Sequence, residues 1–360
     1  MVTLEESIKI QKDIMDQAAD FMKKASKGAK LMMQPPNVKV GQTPHEIVYR
    51  KHKAKLLRYA PMTEKVYETP ILITYALVNK PYVMDLLPGR SVVEVLVKAG
   101  FQVFMLDWGE PTMNDSKKGL DVYLNTYIDK MVDKVCELTG SEQVNLLGYC
   151  MGGTMALMYT AMHPEKVKNV ATMASPFSNE IKEGLLFEWT KDFPIEQLVE
   201  RYGNVPGWYL NMSFGLLKPL DKMDKNLNFY NGILDDGFTE LFLAMERWSA
   251  DSIDVPGQAY LEFVKAVFQE NTLVSNTFKI SGKQVDMKNI KCPYLNMVAL
   301  KDTLVPPDSS LEIGKYTGSE DYALLTCDTG HIGLSVSGKA LKKTWGEAVK
   351  WLGERSGGLK

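Results

Sequence analysis

The run Val144-Asn145-Leu146-Leu147-Gly148-Tyr149-Cys150-Met151-Gly152-Gly153, passing directly into Thr154-Met155-Ala156-Leu157, constrains this chain more than any other stretch. An apolar β-rich run, a turn flanked by glycines and an immediate helical run call for a strand that reverses sharply into a helix. Glycine is required on both sides because so tight a turn brings neighbouring backbone too close for a Cβ. Cys150 stands at the tip, at a helix N-terminus where unpaired N–H groups and the helix dipole favour an anionic sulfur. The plainer alternative for this segment is a packing turn with an inert cysteine.

Around it, short β-rich runs alternate with helical stretches. Strands are expected at 71–75, 103–106, 144–147, 170–173, 294–298 and 322–326, with helical periodicity at 120–138 and 152–162 between them. This rhythm predicts an α/β fold with a mostly parallel sheet and helices on both faces. Residues 50–59 read as an edge strand carrying a basic cluster, either a solvated face or an attraction for phosphates. From Pro176 to about Asp286 the rhythm stops, and helical runs at 238–247 and 258–269 stand in a stretch rich in Trp, Tyr, Phe and Met.

We expect a helical arm at 1–40, a first core part at 41–175, an inserted helical cap at 176–286 and a second core part at 287–360. In the arm, Leu4, Ile8, Gln11, Met15, Ala18 and Met22 fall on one helical stripe behind a capping box from Thr3 to Glu6. That stripe packs on its own domain, on another subunit or on a hydrophobic particle.

Read as chemistry, G-x-Cys-x-G between strand and helix is the nucleophile elbow of the α/β-hydrolase fold with Cys in place of Ser. A thiol nucleophile needs a base, and the chain has four histidines. His45 and His52 lie in the polar N-terminal stretch, and His163 ends the helix that starts at the nucleophile, away from the turn. His331 remains, in Asp328-Thr329-Gly330-His331-Ile332-Gly333 beyond the last strand. The fold orders its triad as nucleophile, acid, base, and Asp302, on the loop after the strand at 294–298, fills the middle place. Asp308 is the competitor, though it follows Pro306-Pro307 and reads as a helix N-cap. An oxyanion hole takes the N–H after the nucleophile, from Met151, and one from the loop 76–80, where Val78 is favoured.

A thiol suits acyl transfer from a thioester, because the acyl group stays activated for a second acceptor provided water is excluded. Composition is compatible with this. The net charge of −2 offers no global field for nucleic acid or an anionic membrane, and 45% hydrophobic content over 360 residues can bury a large core. The other cysteines, Cys136, Cys292 and Cys327, show no metal-ligand spacing and are expected as buried structural thiols. The acidic amphipathic start is no signal peptide, and no stretch is apolar enough to span a membrane, so a cytoplasmic location is expected.

Further motifs carry a resemblance. Asn79-Lys80-Pro81-Tyr82-Val83-Met84-Asp85-Leu86, Asp107-Trp108-Gly109-Glu110-Pro111, Arg247-Trp248 with Asp251 and Pro256-Gly257, and Asp302 with Val305-Pro306 join the elbow and Gly330-His331-Ile332-Gly333. Together, from about residue 69 to 335, the chain resembles the poly(3-hydroxyalkanoate) synthases. Its short region before the first core strand resembles the catalytic subunit of the two-subunit type. The resemblance implies an (R)-3-hydroxyacyl-coenzyme A as substrate, a growing polyester as product and no cofactor or metal. It implies Cys150 as nucleophile, His331 as base, and Asp302 either orienting His331 or activating the 3-hydroxyl. It further implies a second, non-catalytic subunit, a homodimer of catalytic subunits and a place at the surface of polyester granules. Trp108 and Trp248 match family positions, or simply pack in the core. A thioesterase or polyester depolymerase with the same triad, and a non-catalytic granule-associated protein, are the competing readings.

Overall fold

The computed structural model describes residues 3–34, 36–217 and 221–360. Pro35 of the expected loop after the arm and residues 218–220 of the expected cap lie outside the described residues. The chain separates into two compact units, the larger formed by Gly41–Leu217 with Trp248–Lys360 and the smaller by Met1–Val40 with Lys218–Arg247.

In the larger unit, eight strands among the described residues form one sheet: β1 (His45–Lys51), β2 (Ala54–Tyr59), β3 (Ile71–Thr74), β4 (Val103–Asp107), β5 (Val144–Tyr149), β6 (Val167–Met173), β7 (Tyr294–Ala299) and β8 (Tyr322–Cys327). Their order is β1-β2-β4-β3-β5-β6-β7-β8. From β4 to β8 every neighbour is parallel, whereas β2 pairs antiparallel with both β1 and β4. Strands β3, β5 and β7 are buried at every residue, so they read as continuous apolar runs rather than alternating ones. The expected parallel sheet is therefore found, each strand within three residues of its expected bounds.

One expectation is corrected. Residues 50–59 do not form a single edge strand, because the chain reverses at His52, which adopts a positive φ of 52°. Arg50 and Lys51 end β1, the edge, while Lys55 and Arg58 belong to β2 inside the sheet, where Lys55 pairs with Asp107 at 3.1 Å.

Helix α1 (Leu4–Met33) opens the smaller unit, behind the expected capping box of Thr3 and Glu6. Helix α2 (Met151–Met162) follows the turn at Cys150 and is apolar all round, which suits it only to burial, and all its residues but Met162 are buried. Among the described residues, the interval from 176 to 286 holds helices joined by loops, an isolated bridge between Val205 and Val255, and a hairpin of two-residue strands, Lys279–Ile280 with Lys283–Gln284. It includes α3 (Asp221–Gly232) and α4 (Asp236–Ala250).

Candidate active site

Cys150 links β5 to α2 with φ 55° and ψ −131°, a conformation that a non-glycine residue keeps only when its surroundings enforce it. Here they do. Its N–H donates to Met173 O at 2.9 Å, and its carbonyl accepts from Gly153 N at 2.9 Å. The flanking glycines are compelled by space. A Cβ on Gly148 would lie 2.3 Å from Gly153 Cα, and one on Gly152 would lie 2.5 Å from Thr74 O at the end of β3. The elbow is thus wedged against the loop that leaves β3.

Asp302 follows β7 and His331 follows β8, so neighbouring parallel strands deliver both at the carboxyl edge of the sheet, beside the elbow after β5. His331 Nδ1 lies 2.6 Å from Asp302 Oδ2, with both side chains buried. The Cys150 sulfur acts on the same ring. Burial works against a charged imidazole, yet the Asp302 carboxylate and the Cys150 sulfur outweigh it and push His331 up to about 10. Asp302 Oδ1 accepts from Leu304 N and Val305 N, each at 2.9 Å, so the carboxylate is locked by its own loop.

The rival candidates fall elsewhere. His45 Nδ1 faces Thr43 O at 2.8 Å, His52 Nδ1 faces the Tyr127 hydroxyl at 3.3 Å, and His163 Nε2 faces Asn125 Oδ1 at 3.1 Å. Asp308 lies in the first turn of Pro307–Ser310, not at its N-cap as expected; Pro306 takes that place because the Pro-Pro pair starts the helix a residue earlier. Met151 opens α2 directly after Cys150, and Val78 lies on the half-buried loop after β3. A cavity of about 720 Å³ is lined by Thr69, Gln102, Gln143, Lys168 and Pro293, which precede or begin strands. It is therefore at the amino edge of the sheet, away from the carboxyl edge where such folds bind ligands. Among the described residues no cluster of His, Cys, Asp or Glu could hold a metal ion.

The chain matches the α/β-hydrolase fold family over residues 71–336 and the poly-beta-hydroxybutyrate polymerase (PhaC) N-terminus family over residues 7–96. It is 40% identical to "Poly(3-hydroxyalkanoate) polymerase subunit PhaC" of Thiocystis violacea, across 94% of this chain and 96% of that protein. The chain belongs to the poly(3-hydroxyalkanoate) polymerase family. The same subunit of Haloferax mediterranei is 39% identical across 97% of this chain and 72% of that protein. The polymerase is thus an acyltransferase-type enzyme on an α/β-hydrolase fold. A soluble variant of monoglyceride lipase from Saccharomyces cerevisiae superposes with a TM-score of 0.54 at 13% identity, covering 90% of this chain and 99% of that one. The Paleococcus ferrophilus monoacylglycerol lipase does so at 0.51 and 16%, covering 81% and 98%. These two share the fold alone.

Two tryptophans of the polymerase do more than pack. Trp108 Nε1 donates to Tyr75 O and Trp248 Nε1 to Lys80 O, both at 2.9 Å, and Tyr82 OH donates to Asp251 Oδ2 at 2.7 Å. They clamp both ends of the loop after β3. Tyr149, the variable position of the elbow, was not singled out from sequence. Its ring stacks on His331 with centroids 5.1 Å apart, and its hydroxyl donates to His331 O at 3.2 Å. Only the spacing G-x-Cys-x-G pointed to it.

The remaining cysteines lie away from the elbow. Burial first, then Asp133, push the Cys136 thiol up, and burial pushes Cys292 up to about 11. Both are half-buried rather than buried as expected, Cys136 in the last turn of the helix Asp129–Thr139 and Cys292 on the loop before β7; Cys327 is buried.

Proposed function

We propose that this polymerase joins (R)-3-hydroxyacyl units from coenzyme A thioesters into polyhydroxyalkanoate through an acyl group carried on Cys150. The observation that carries this reading is the buried pair of His331 and Asp302 at 2.6 Å, with the Cys150 thiol on the same ring. His331 takes the thiol proton, and the sulfur attacks the thioester carbonyl. The N–H groups of Met151 and Val78 are assigned to the oxyanion. The C–S bond to coenzyme A then breaks, and its thiolate leaves with the proton held by His331. In the next half-cycle His331 accepts the proton of a 3-hydroxyl, whose oxygen attacks the cysteine-bound acyl group, forming an ester and freeing the thiol.

Asp302 is assigned to orienting His331. Both of its oxygens are engaged, one by the imidazole and one by two backbone N–H groups, which favours this role over direct activation of a hydroxyl. No cofactor enters this scheme. Residues 176–286 are assigned as the cap that limits water, 1–40 as an arm, and 41–175 with 287–360 as the catalytic core. The relatives' name, "polymerase subunit", supports a second non-catalytic subunit, and we add self-association of the catalytic chain. Among the described residues no helix is long and apolar enough to cross a membrane. A growing hydrophobic product supports a place at the granule surface.

Incubation with (R)-3-hydroxybutyryl-coenzyme A, with and without a co-expressed second subunit, tests the reading. Thiol release together with chloroform-soluble polymer, both absent in Cys150→Ala, is expected. Release of free 3-hydroxybutyrate alone would make the chain a thioesterase, and a Cys150→Ala variant that still polymerised would overturn the mechanism.

A further inference from the structure

Tyr75 is the first residue beyond β3, and it lies directly against the elbow. A Cβ on Gly152 would stand 2.5 Å from Tyr75 C and 2.6 Å from Tyr75 O, so the Tyr75 backbone touches the first turn of α2. Its carbonyl accepts from Trp108 Nε1 at 2.9 Å, which anchors the peptide plane. Its ring meets the Tyr149 ring with centroids 5.5 Å apart, and Tyr149 in turn stacks on His331 at 5.1 Å. Tyr75 is therefore held at backbone, carbonyl and ring among the residues of the site, and it is buried.

These contacts leave its hydroxyl unused. The Tyr149 hydroxyl is engaged on His331 O, whereas among the described residues no hydrogen bond reaches Tyr75 Oη. Nor is the oxygen sealed in, since the fully buried side-chain atoms without a partner are Asn169 Oδ1, Asn204 Oδ1, Asn276 Oδ1 and Trp351 Nε1. Tyr75 Oη keeps an accessible side. A phenylalanine would pack the same ring without withdrawing a hydroxyl from bulk water, so the partner that repays this desolvation comes from outside the chain. Burial first, and then the Cys150 sulfur and Tyr82, hold the phenol well above its ordinary range, which keeps it a neutral proton donor within the field of the sulfur.

The order of the strands supplies a direction. Strand β3 borders β5 on one side while β6, β7 and β8 lie on the other, so Tyr75 reaches the elbow from the side opposite to Asp302 and His331. A thioester attacked by Cys150 keeps its leaving sulfur towards His331, which exchanges the proton, and this turns the carbonyl oxygen towards the β3 side. We propose that the Tyr75 hydroxyl is a catalytic hydrogen-bond donor to the oxyanion, acting with Met151 N–H whenever the carbonyl on Cys150 becomes tetrahedral. The phenol keeps its proton throughout: it donates while charge gathers on the oxygen and lets go when the carbonyl re-forms. The role rests on the proposed acyl transfer through Cys150 and adds a residue to that same site.

Tyr75→Phe in the full-length chain is the test, assayed beside wild type and Cys150→Ala for coenzyme A release from (R)-3-hydroxybutyryl-coenzyme A. The variant keeps the ring and each contact described for it, so its urea midpoint should match that of wild type; a lowered midpoint would show a partner for the hydroxyl inside the protein and count against the proposal. We expect kcat to fall about 10²–10³-fold with KM changed less than about threefold, the mark of a donor used only in the transition state. Alkylation of Cys150 by iodoacetamide, followed by peptide mass, builds no oxyanion and should run at the wild-type rate. Turnover within about threefold of wild type, or a raised KM with kcat kept, would overturn the oxyanion role. Alkylation slowed as much as turnover would move the action of the hydroxyl to the sulfur and overturn it as well. Coenzyme A release by Cys150→Ala would instead sink the cysteine mechanism, an outcome separate from any result with Tyr75→Phe.

Discussion

Asp302 meets the His331 ring with one oxygen and two backbone N–H groups with the other, so its charge is both oriented and satisfied. Replacing it by Asn keeps the size but removes the charge that holds His331 cationic. The Asp302→Asn variant should titrate His331 lower by NMR and lose about 10²–10⁴-fold in turnover. The same group gives stability a pH dependence. An unfolded imidazole titrates near 6.5 and the folded one near 10, so the contribution of charged His331 is complete below about 6.5 and is lost as pH rises towards 10. The urea midpoint of wild type should therefore fall relative to that of His331→Gln between these limits, and parallel curves would count against the ion pair. Trp248→Phe keeps an aromatic ring, though a smaller one, and removes the N–H that holds Lys80 O. It should cost about 1 kcal/mol in stability and slow turnover roughly tenfold or more if that loop positions the oxyanion.

At the scale of elements, β5, the elbow and α2 act as one piece whose geometry leaves no room for ordinary side chains. A methyl group on Gly148 must displace Gly153 Cα, a backbone atom that cannot rotate away. Gly148→Ala should therefore lower stability by more than the 1–3 kcal/mol typical of an overpacked core, or give insoluble protein. Chemical denaturation of whatever soluble fraction forms checks this. The hairpin of β1 and β2 shows the opposite case. Charged and apolar residues are mixed in both strands, HEIVYRK and AKLLRY, so the sequence pattern runs straight through a reversal set by His52 and Lys53.

Across the whole of the larger unit, distant segments meet on a pair of buried asparagines at the amino edge of the sheet. Asn145 Nδ2 donates to Thr69 O at 3.2 Å and to Ser356 Oγ at 2.8 Å, and Asn169 Nδ2 donates to Asn145 Oδ1 at 2.6 Å and to Arg355 O at 3.1 Å. Strands β5 and β6 thereby hold residues 355 and 356. Asn145→Ala leaves these partners buried and unmatched, so a loss of about 2–4 kcal/mol is expected by urea unfolding. The carboxyl edge that carries Cys150 lies at the other end of the strands, and on the proposed function Cys150 should keep its reactivity towards thioester in the folded fraction.

The sequence by itself determined the strand order of events: apolar runs too continuous for a solvated face, glycines where a Cβ cannot fit, and one histidine left after the others were placed. Those are local requirements of burial and sterics, written at single positions, and so Cys150, Asp302 and His331 could be named. Tertiary structure alone decided what depends on distance. Tyr149 became a support of His331, and Trp108 and Trp248 became donors to loop carbonyls, because a buried aromatic N–H or O–H reads the same in sequence whether it meets a site or a core. The reversal at His52 is likewise invisible to periodicity, since both strands of the hairpin share the pattern. For α1 the periodicity was legible but not its exposure, because a stripe shows that an apolar face exists and only the packing of the other elements shows whether that face is covered.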